Sequence, residues 1–260
     1  MSTRFKPVVG LIRSWDTKTD KWHYPVIIDN MMNLELLEWA AQHSDSTKFA
    51  KIASSHAKLT MKNHFRKDFS SYHVIGYDPE TGQVEKRNTH QGYAHESAWA
   101  RGQAWGLYGY TMMFRETGDS SYLHHAKGIA RFIMSHPNMP KDKVPYWDFN
   151  APDIPHAKRD ASAAAIMASA FIELSTLTKE EPDFSKQCLN MAEMQLRSLT
   201  SAEYLAKKGT NGGFILMHSV GNLPKGTEVD VPLTYADYYY VEALVRYKKM
   251  VLGTLKGKKN

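Results

Sequence analysis

The chain has one cysteine, Cys188, so no disulfide can close within it. Its setting, FSKQCLNMAEM, reads as a helix face, which makes the thiol a small core residue rather than a nucleophile. No apolar run approaches the roughly 18 residues of a membrane span, and MSTRFKPVVGLIRSW lacks the apolar stretch of a secretory signal. Histidine is plentiful, at 12, yet no HExxH or paired CxxC occurs. The pair at 124–125 therefore reads as a solvated helix face, and no metal or other cofactor is expected. There is no basic stripe interleaved with aromatics, so neither nucleic acid nor a membrane is an expected partner. The excess of 33 basic over 27 acidic residues, part of it in the C-terminal KGKKN, suits an anionic ligand without requiring one.

What is present is ample core material: 42% of the 260 residues are apolar, and no composition shift marks a boundary, so residues 1–260 read as a single domain. Seven helices are expected, at roughly 26–43, 46–66, 97–117, 119–136, 160–178, 182–203 and 233–250. Those starting near 26, 97, 160 and 233 are apolar almost all round, as in DASAAAIMASAFIEL, and should be buried on both sides. The others carry one apolar stripe, such as Phe184, Cys188, Met191 and Met194. This alternation at intervals of 71, 63 and 73 residues predicts repeated helical hairpins, closed as an α/α barrel or open as a solenoid. YHVIGYDPETGQVEKRNTHQ reads as a β-hairpin, and PNMPKDKVPYWDFNAPDIPHAKR, with five of the 11 prolines, as a rigid rim loop.

Two stretches carry chemistry. In PVIIDNMMNLELLEWA, Asp29 would share a helix face with Met32, Asn33, Leu36 and Leu37. It is either a site carboxylate or a first-turn residue after Pro25 that the helix dipole favours. In THQGYAHESAWARGQAWGLYGY, Arg101 and Trp105 stand at i and i+4, with Gln91, His95 and Trp99 upstream. A guanidinium suits a carboxylate and an indole suits the face of a sugar. Gly102, Gly106 and Gly109 allow a neighbouring helix close; packing explains them better than it explains the polar cluster, which favours ligand binding.

Together IIDNMMNLELLEWA, HQGYAHESAWARGQAWGLYGY, VPYWDFN, RDASAAAI and EVDVPLTYADYYYVEAL resemble the unsaturated glucuronyl hydrolases, glycoside hydrolase family 88, along nearly the whole chain. The resemblance implies an (α/α)6 barrel of twelve helices, of which seven are read here, so that the first part of the barrel, with a second aspartate, has no counterpart. It implies hydration of the C4=C5 double bond of an unsaturated uronate left by a polysaccharide lyase, with release of the neighbouring sugar. Asp29 matches the general acid/base, and His73, Gln91, Trp99, Arg101 and Trp105 match residues that hold the uronate. Trp15 resembles a stacking residue, and His218 and Ser219 lie in the loop that would face the leaving sugar. Tyr146, Trp147 and Phe149 either line the rim or anchor the Pro-rich loop. The alternatives are a non-catalytic carbohydrate-binding or scaffold protein, and a rhamnogalacturonyl hydrolase-type enzyme on the same fold. Exposed barrel flanks would favour self-association, and the compartment stays open between bacterial cytoplasm and periplasm.

Overall fold

The computed structural model describes residues 1–16 and 21–253; the KGKKN tail lies outside the described residues. Among the described residues seven α-helices form: α1 (Leu34–Gln42), α2 (Lys48–His64), α3 (Ala100–Thr117), α4 (Ser120–Ser135), α5 (Ala161–Leu177), α6 (Pro182–Leu199) and α7 (Thr234–Arg246), the last continuing as a π-helical turn over Tyr247–Leu252. They alternate as expected. α1, α3, α5 and α7 form an inner row in which α3 packs on α1 and α5, and α5 on α7, while α2, α4 and α6 lie outside α1, α3 and α5.

Burial follows composition in the middle of the row and departs from it at the ends. α5 is buried continuously from Ala161 to Ser175 and α3 from Ala100 to Met113, as their all-round apolar faces demand. α1 and α7 were expected to be equally enclosed and are not. Leu36 and Trp39 on α1, and Tyr238, Val241, Leu244 and Val245 on α7, face solvent because each helix has an inner-row neighbour on one side only.

The first expected helix starts late. Tyr24–Ile27 is a strand, β3, followed by a 3-10 turn over Ile28–Met31, and only then by α1. The apolar run is consistent with a buried strand as well as a helix, and β-branched Val26 and Ile27 favour the strand. β3 pairs antiparallel with β4 (Val74–Tyr77), which pairs with β5 (Val84–Asn88), so the expected hairpin is two strands of a three-stranded sheet. Its DPETG turn is held by the Asp78 carboxylate, which accepts the backbone N–H groups of Glu80 and Thr81. Two further hairpins form, a short one from β1 (Phe5–Lys6) and β2 (Leu11–Ile12), and one from β6 (Ser219–Asn222) and β7 (Thr227–Val231).

Side chains left open by the sequence find plain places. Cys188 is fully buried, and burial pushes its thiol up to about 12. The expected solvated histidine pair is split: His124 is exposed, whereas His125 is buried among Phe65, Phe69 and Tyr110, with its pKa lowered to about 4 by desolvation. Tyr146, Trp147 and Phe149 are buried and anchor the Pro-rich loop, Tyr146 bridging to Arg159 and Trp147 packing near Val220.

Candidate active site

The polar residues singled out in the sequence gather around the N-terminal ends of the inner helices. Asp29 lies in the 3-10 turn ahead of α1, not inside it, and that turn sits directly on α3. The seat is Gly109: a Cβ there would stand 2.5 Å from Cβ of Met31. Glycine at this position lets the backbone carrying Asp29 approach the helix that carries Arg101 and Trp105.

The Asp29 side chain is 22% exposed, and its Oδ2 makes no hydrogen bond among the described residues. Desolvation raises its pKa to about 6, opposed by the Arg101 guanidinium, the Asp29 backbone N–H and the Trp105 side chain. A carboxyl poised there holds a proton in the neutral range and can also release it.

His73, just ahead of β4, faces Asp29 with Nε2 3.7 Å from Oδ2. Its Nδ1 accepts the backbone N–H groups of His90 at 3.2 Å and Gln91 at 3.1 Å. An acceptor at Nδ1 fixes the neutral tautomer with its proton on Nε2, directed toward the carboxylate. Burial, with the charges of His90 and Arg101 nearby, holds the ring well below the usual histidine pKa, so it stays neutral. The ring stacks on Trp99, centroids 4.2 Å apart, which fixes its plane.

Arg101 is 2% exposed and holds three protein oxygens. Nη1 donates to Oδ2 of Asp160 at 2.9 Å and to the Val220 carbonyl at 2.5 Å, and Nη2 donates to the Gly221 carbonyl at 2.8 Å. The guanidinium also lies 4.4 Å from the Trp99 ring centroid and 5.3 Å from that of Tyr235. A carboxylate meeting Arg101 in the bidentate manner expected from the sequence would have to share Nη1 and Nη2 with these protein oxygens or use the N–H groups they leave over. Gln91 joins the same clamp, its side-chain amide donating to the Gly221 carbonyl at 2.8 Å.

Trp105 completes the inner wall, buried against Tyr239 and Tyr235. Trp15 stands farther out, in a cluster with Trp22 and His90 that reaches His73 through His90. Ser219 is fully buried in β6 with its hydroxyl unpartnered among the described residues. His218 is directed elsewhere. Its backbone is left-handed, its Nδ1 contacts Oδ1 of Asp230 at 2.6 Å, and it lines a separate cavity of about 170 Å³ with Lys158, Arg159 and Tyr204.

Three contributors were missed. Asp160 caps α5 and pairs with Arg101; its Asp-x-Ser start is a readable cap signal, but the partner 59 residues away is not. Tyr235, the second residue of α7, faces Arg101 and Trp105; only the placement of its helix in the inner row reveals it. Asp148 accepts the Tyr93 N–H and the Ser97 hydroxyl, tying the segment before α3 to the Pro-rich loop. Other grooves, such as one of about 620 Å³ lined by Arg131, Met134, Met191 and Met194, contain none of this cluster.

No family model matches the chain. It is 51% identical over 250 residues to an unsaturated glucuronyl hydrolase of Formosa agariphila, an alignment covering 96% of this chain and 61% of that protein. It is 37% identical over 249 residues to an unsaturated chondroitin disaccharide hydrolase of Streptococcus pneumoniae, covering 95% and 61%. Among solved structures, an unsaturated glucuronyl hydrolase specific for heparin superposes with a TM-score of 0.92 at 54% identity, covering 96% of this chain and 66% of that one. The chain thus spans somewhat under two thirds of the length of these relatives. With identity of about half along nearly all of the chain, and a backbone that follows the solved fold over 96% of it, the chain is similar in sequence and fold to the matching part of the unsaturated glucuronyl hydrolases.

Proposed function

We propose that the Asp29 site serves the hydration of the C4=C5 double bond of an unsaturated uronate at the non-reducing end of a short oligosaccharide. One observation carries the reading: a carboxyl held near pKa 6 by desolvation, with a neutral imidazole N–H as its neighbour. The vinyl ether takes the Asp29 proton at C4, and positive charge develops at C5 and the ring oxygen. Water adds at C5 as the Asp29 carboxylate takes its proton, and the resulting hemiketal opens to release the neighbouring sugar. Asp29 thus ends the cycle as it began, and glycosidic cleavage follows from hydration, so the two-carboxylate separation rule of ordinary glycosidases has no bearing.

In this reading Trp105, Trp99 and His73 wall the uronate, Gln91 and Arg101 act through the β6 carbonyls they hold, and Arg101 adds positive potential. Trp15 would border the next sugar, while the buried Ser219 would act from within β6 behind that wall. The relatives' names point to disaccharides of the glycosaminoglycan type, such as those of chondroitin or heparin, as the substrate class. The finer fold reading is a twelve-helix (α/α)6 barrel to which residues 1–260 contribute seven helices as one catalytic domain. The exposed faces of α1 and α7 are the surfaces through which the chain would associate with itself. The test is loss of the double bond's ultraviolet absorbance on incubation with unsaturated chondroitin and heparin disaccharides. Turnover that Asp29→Asn abolishes supports the reading, and absorbance that stays constant with every such disaccharide overturns it.

A further inference from the structure

Asp160 lies outside the set of residues that can touch a ligand, yet four hydrogen bonds converge on its fully buried carboxylate. Oδ1 accepts the Ser162 N–H at 3.1 Å and the Ser162 hydroxyl at 2.6 Å, which caps α5. Oδ1 also takes the Val220 N–H at 3.4 Å, and Oδ2 takes Arg101 at 2.9 Å. One side chain thus joins the start of α5, the first turn of α3 and strand β6.

The geometry has an electrostatic consequence. Arg101 is a buried cation whose charge bears on Asp29, and its counter-charge is Asp160. Titratable groups also reach Asp29 from the other elements around it: His73, kept neutral by burial, His90 beyond it, and Tyr235 from α7. None of these is a fixed anion that could replace Asp160 beside Arg101. The helix cap holds the carboxylate rigid, so neutralisation of Arg101 is built into the fold.

We propose that Asp160 is a positioning residue for the Asp29 site: it fixes Arg101, and through Arg101 the carbonyl oxygens of Val220 and Gly221, and it governs how strongly the guanidinium charge acts on the Asp29 carboxyl. Its importance to the reaction rests on Asp29 being the proton donor, but the proposal itself is a statement about charge and can be read without substrate.

The experiment is an NMR titration of the full chain labelled with ¹³C at the aspartate carboxyls, with the Asp29 signal identified by its loss in Asp29→Asn. Asp160→Asn and Asp160→Ser keep a competent helix cap and remove the charge. The unbalanced guanidinium should then lower the Asp29 midpoint by about one pH unit. Arg101→Gln should raise it, leaving the Asp160 charge unopposed. The double variant Asp160→Asn/Arg101→Gln buries no lone charge and should return the midpoint to near the native value. If the single Asp160 variants do not fold, the difference between Arg101→Gln and the double variant isolates the Asp160 charge. A merely structural cap would not move the midpoint in opposite directions and then restore it. Absence of a downward change on removing the Asp160 charge, alone or beside Arg101→Gln, overturns the proposal. Because no turnover is measured, that outcome is separate from failure of the hydration reading, which the double-bond assay decides.

Discussion

His73 presents Nε2 to Oδ2 of Asp29 at 3.7 Å while its Nδ1 accepts two backbone N–H groups from the His90–Gln91 segment. The separation is too long for a hydrogen bond, so the pair is a proton-bearing nitrogen and a partly desolvated carboxyl facing each other across a small gap. The 22% of the Asp29 side chain that stays exposed lies away from Oδ2.

The Asp29 carboxyl sets the first prediction. Asn is nearly isosteric but delivers no proton, so Asp29→Asn should reduce hydration by on the order of a hundredfold to ten-thousandfold, read as double-bond absorbance. The same variant should be more stable than the native chain at pH 8. The folded-state pKa of about 6 lies above the ordinary aspartate value of 3.8, so the proton is held more tightly in the folded state. Its contribution is fully present below pH 4 and is lost as pH rises through about 6, reaching on the order of 3 kcal/mol. Denaturant midpoints should therefore favour the variant at pH 8 and converge with the native chain near pH 4. A fully active variant would remove Asp29 from the chemistry.

The rate should show the same ionisation. A proton donor with a pKa near 6 is depleted as pH rises, so kcat/KM should fall about tenfold for each pH unit above that value. His73 should contribute no separate limb there, because its pKa is held well below the ordinary range. A rate that keeps rising from pH 6 to pH 8 would contradict this assignment.

His73→Phe keeps a ring to stack on Trp99 but offers Asp29 no N–H and gives the His90 and Gln91 N–H groups no acceptor. Two half-buried donors without partners should cost about 1–3 kcal/mol in stability together, less than the full buried-donor penalty because solvent reaches them in part. Hydration should fall at least tenfold. Unchanged stability would show that the loop repacks freely and that the tautomer is not fixed by it.

How much of this was legible depends on the range of the interaction. The rhythm of α3, α4, α5 and α6 was readable because each helix writes its own burial into its periodicity, as Phe184, Cys188 and Met191 do on α6. Val26 and Ile27 were misread as the start of the first helix because a short apolar run has no period, and strand pairing with Ile75 and Val74, some fifty residues on, decides their conformation. Asp29, His73, Trp99 and Trp105 could be singled out by motif. The clamp of Arg101 on Asp160 and β6 could not, because nothing local in RDASAAAI tells the carboxylate which cation it will meet. The solvent exposure of α1 and α7 was likewise hidden, since Leu36, Trp39, Val241 and Val245 look like core residues until their neighbours are known.

Gly109 supplies a steric prediction. A methyl group there would sit 2.5 Å from Cβ of Met31, so Gly109→Ala must push the Ile28–Met31 turn off α3 or bend the helix. The cost should be about 1–3 kcal/mol, offset only in part by the better helix propensity of alanine. Because Asp29 rides on that turn, kcat should fall more than KM changes. Gly118→Ala is the control: its Cβ meets nothing within 4 Å, and only its left-handed backbone would be strained. Loss of stability without loss of kcat in Gly109→Ala would mean that Asp29 is positioned from its own strand rather than from α3.

The last prediction concerns the two ends of the inner row. Leu36 is 63% exposed and Trp39 56% on α1, and Tyr238 is 60% exposed on α7 with Val241, Leu244 and Val245 beside it. Fully burying a large apolar side chain is worth about 1.5–3 kcal/mol, so covering either face gives several kcal/mol in favour of association before its entropic cost is met. Monomeric proteins seldom leave such contiguous apolar faces open. The chain should therefore show concentration-dependent association in sedimentation velocity at micromolar concentration. Leu36→Lys with Trp39→Glu should weaken it through α1, and Val241→Lys with Val245→Glu through α7, with little effect on the α3–α5 core because none of these side chains is buried. If one pair of substitutions abolishes association and the other has no effect, a single face joins two copies symmetrically. If either pair alone abolishes it, α1 of one copy meets α7 of the next. A strictly monomeric native chain across that range would show that these faces need no cover.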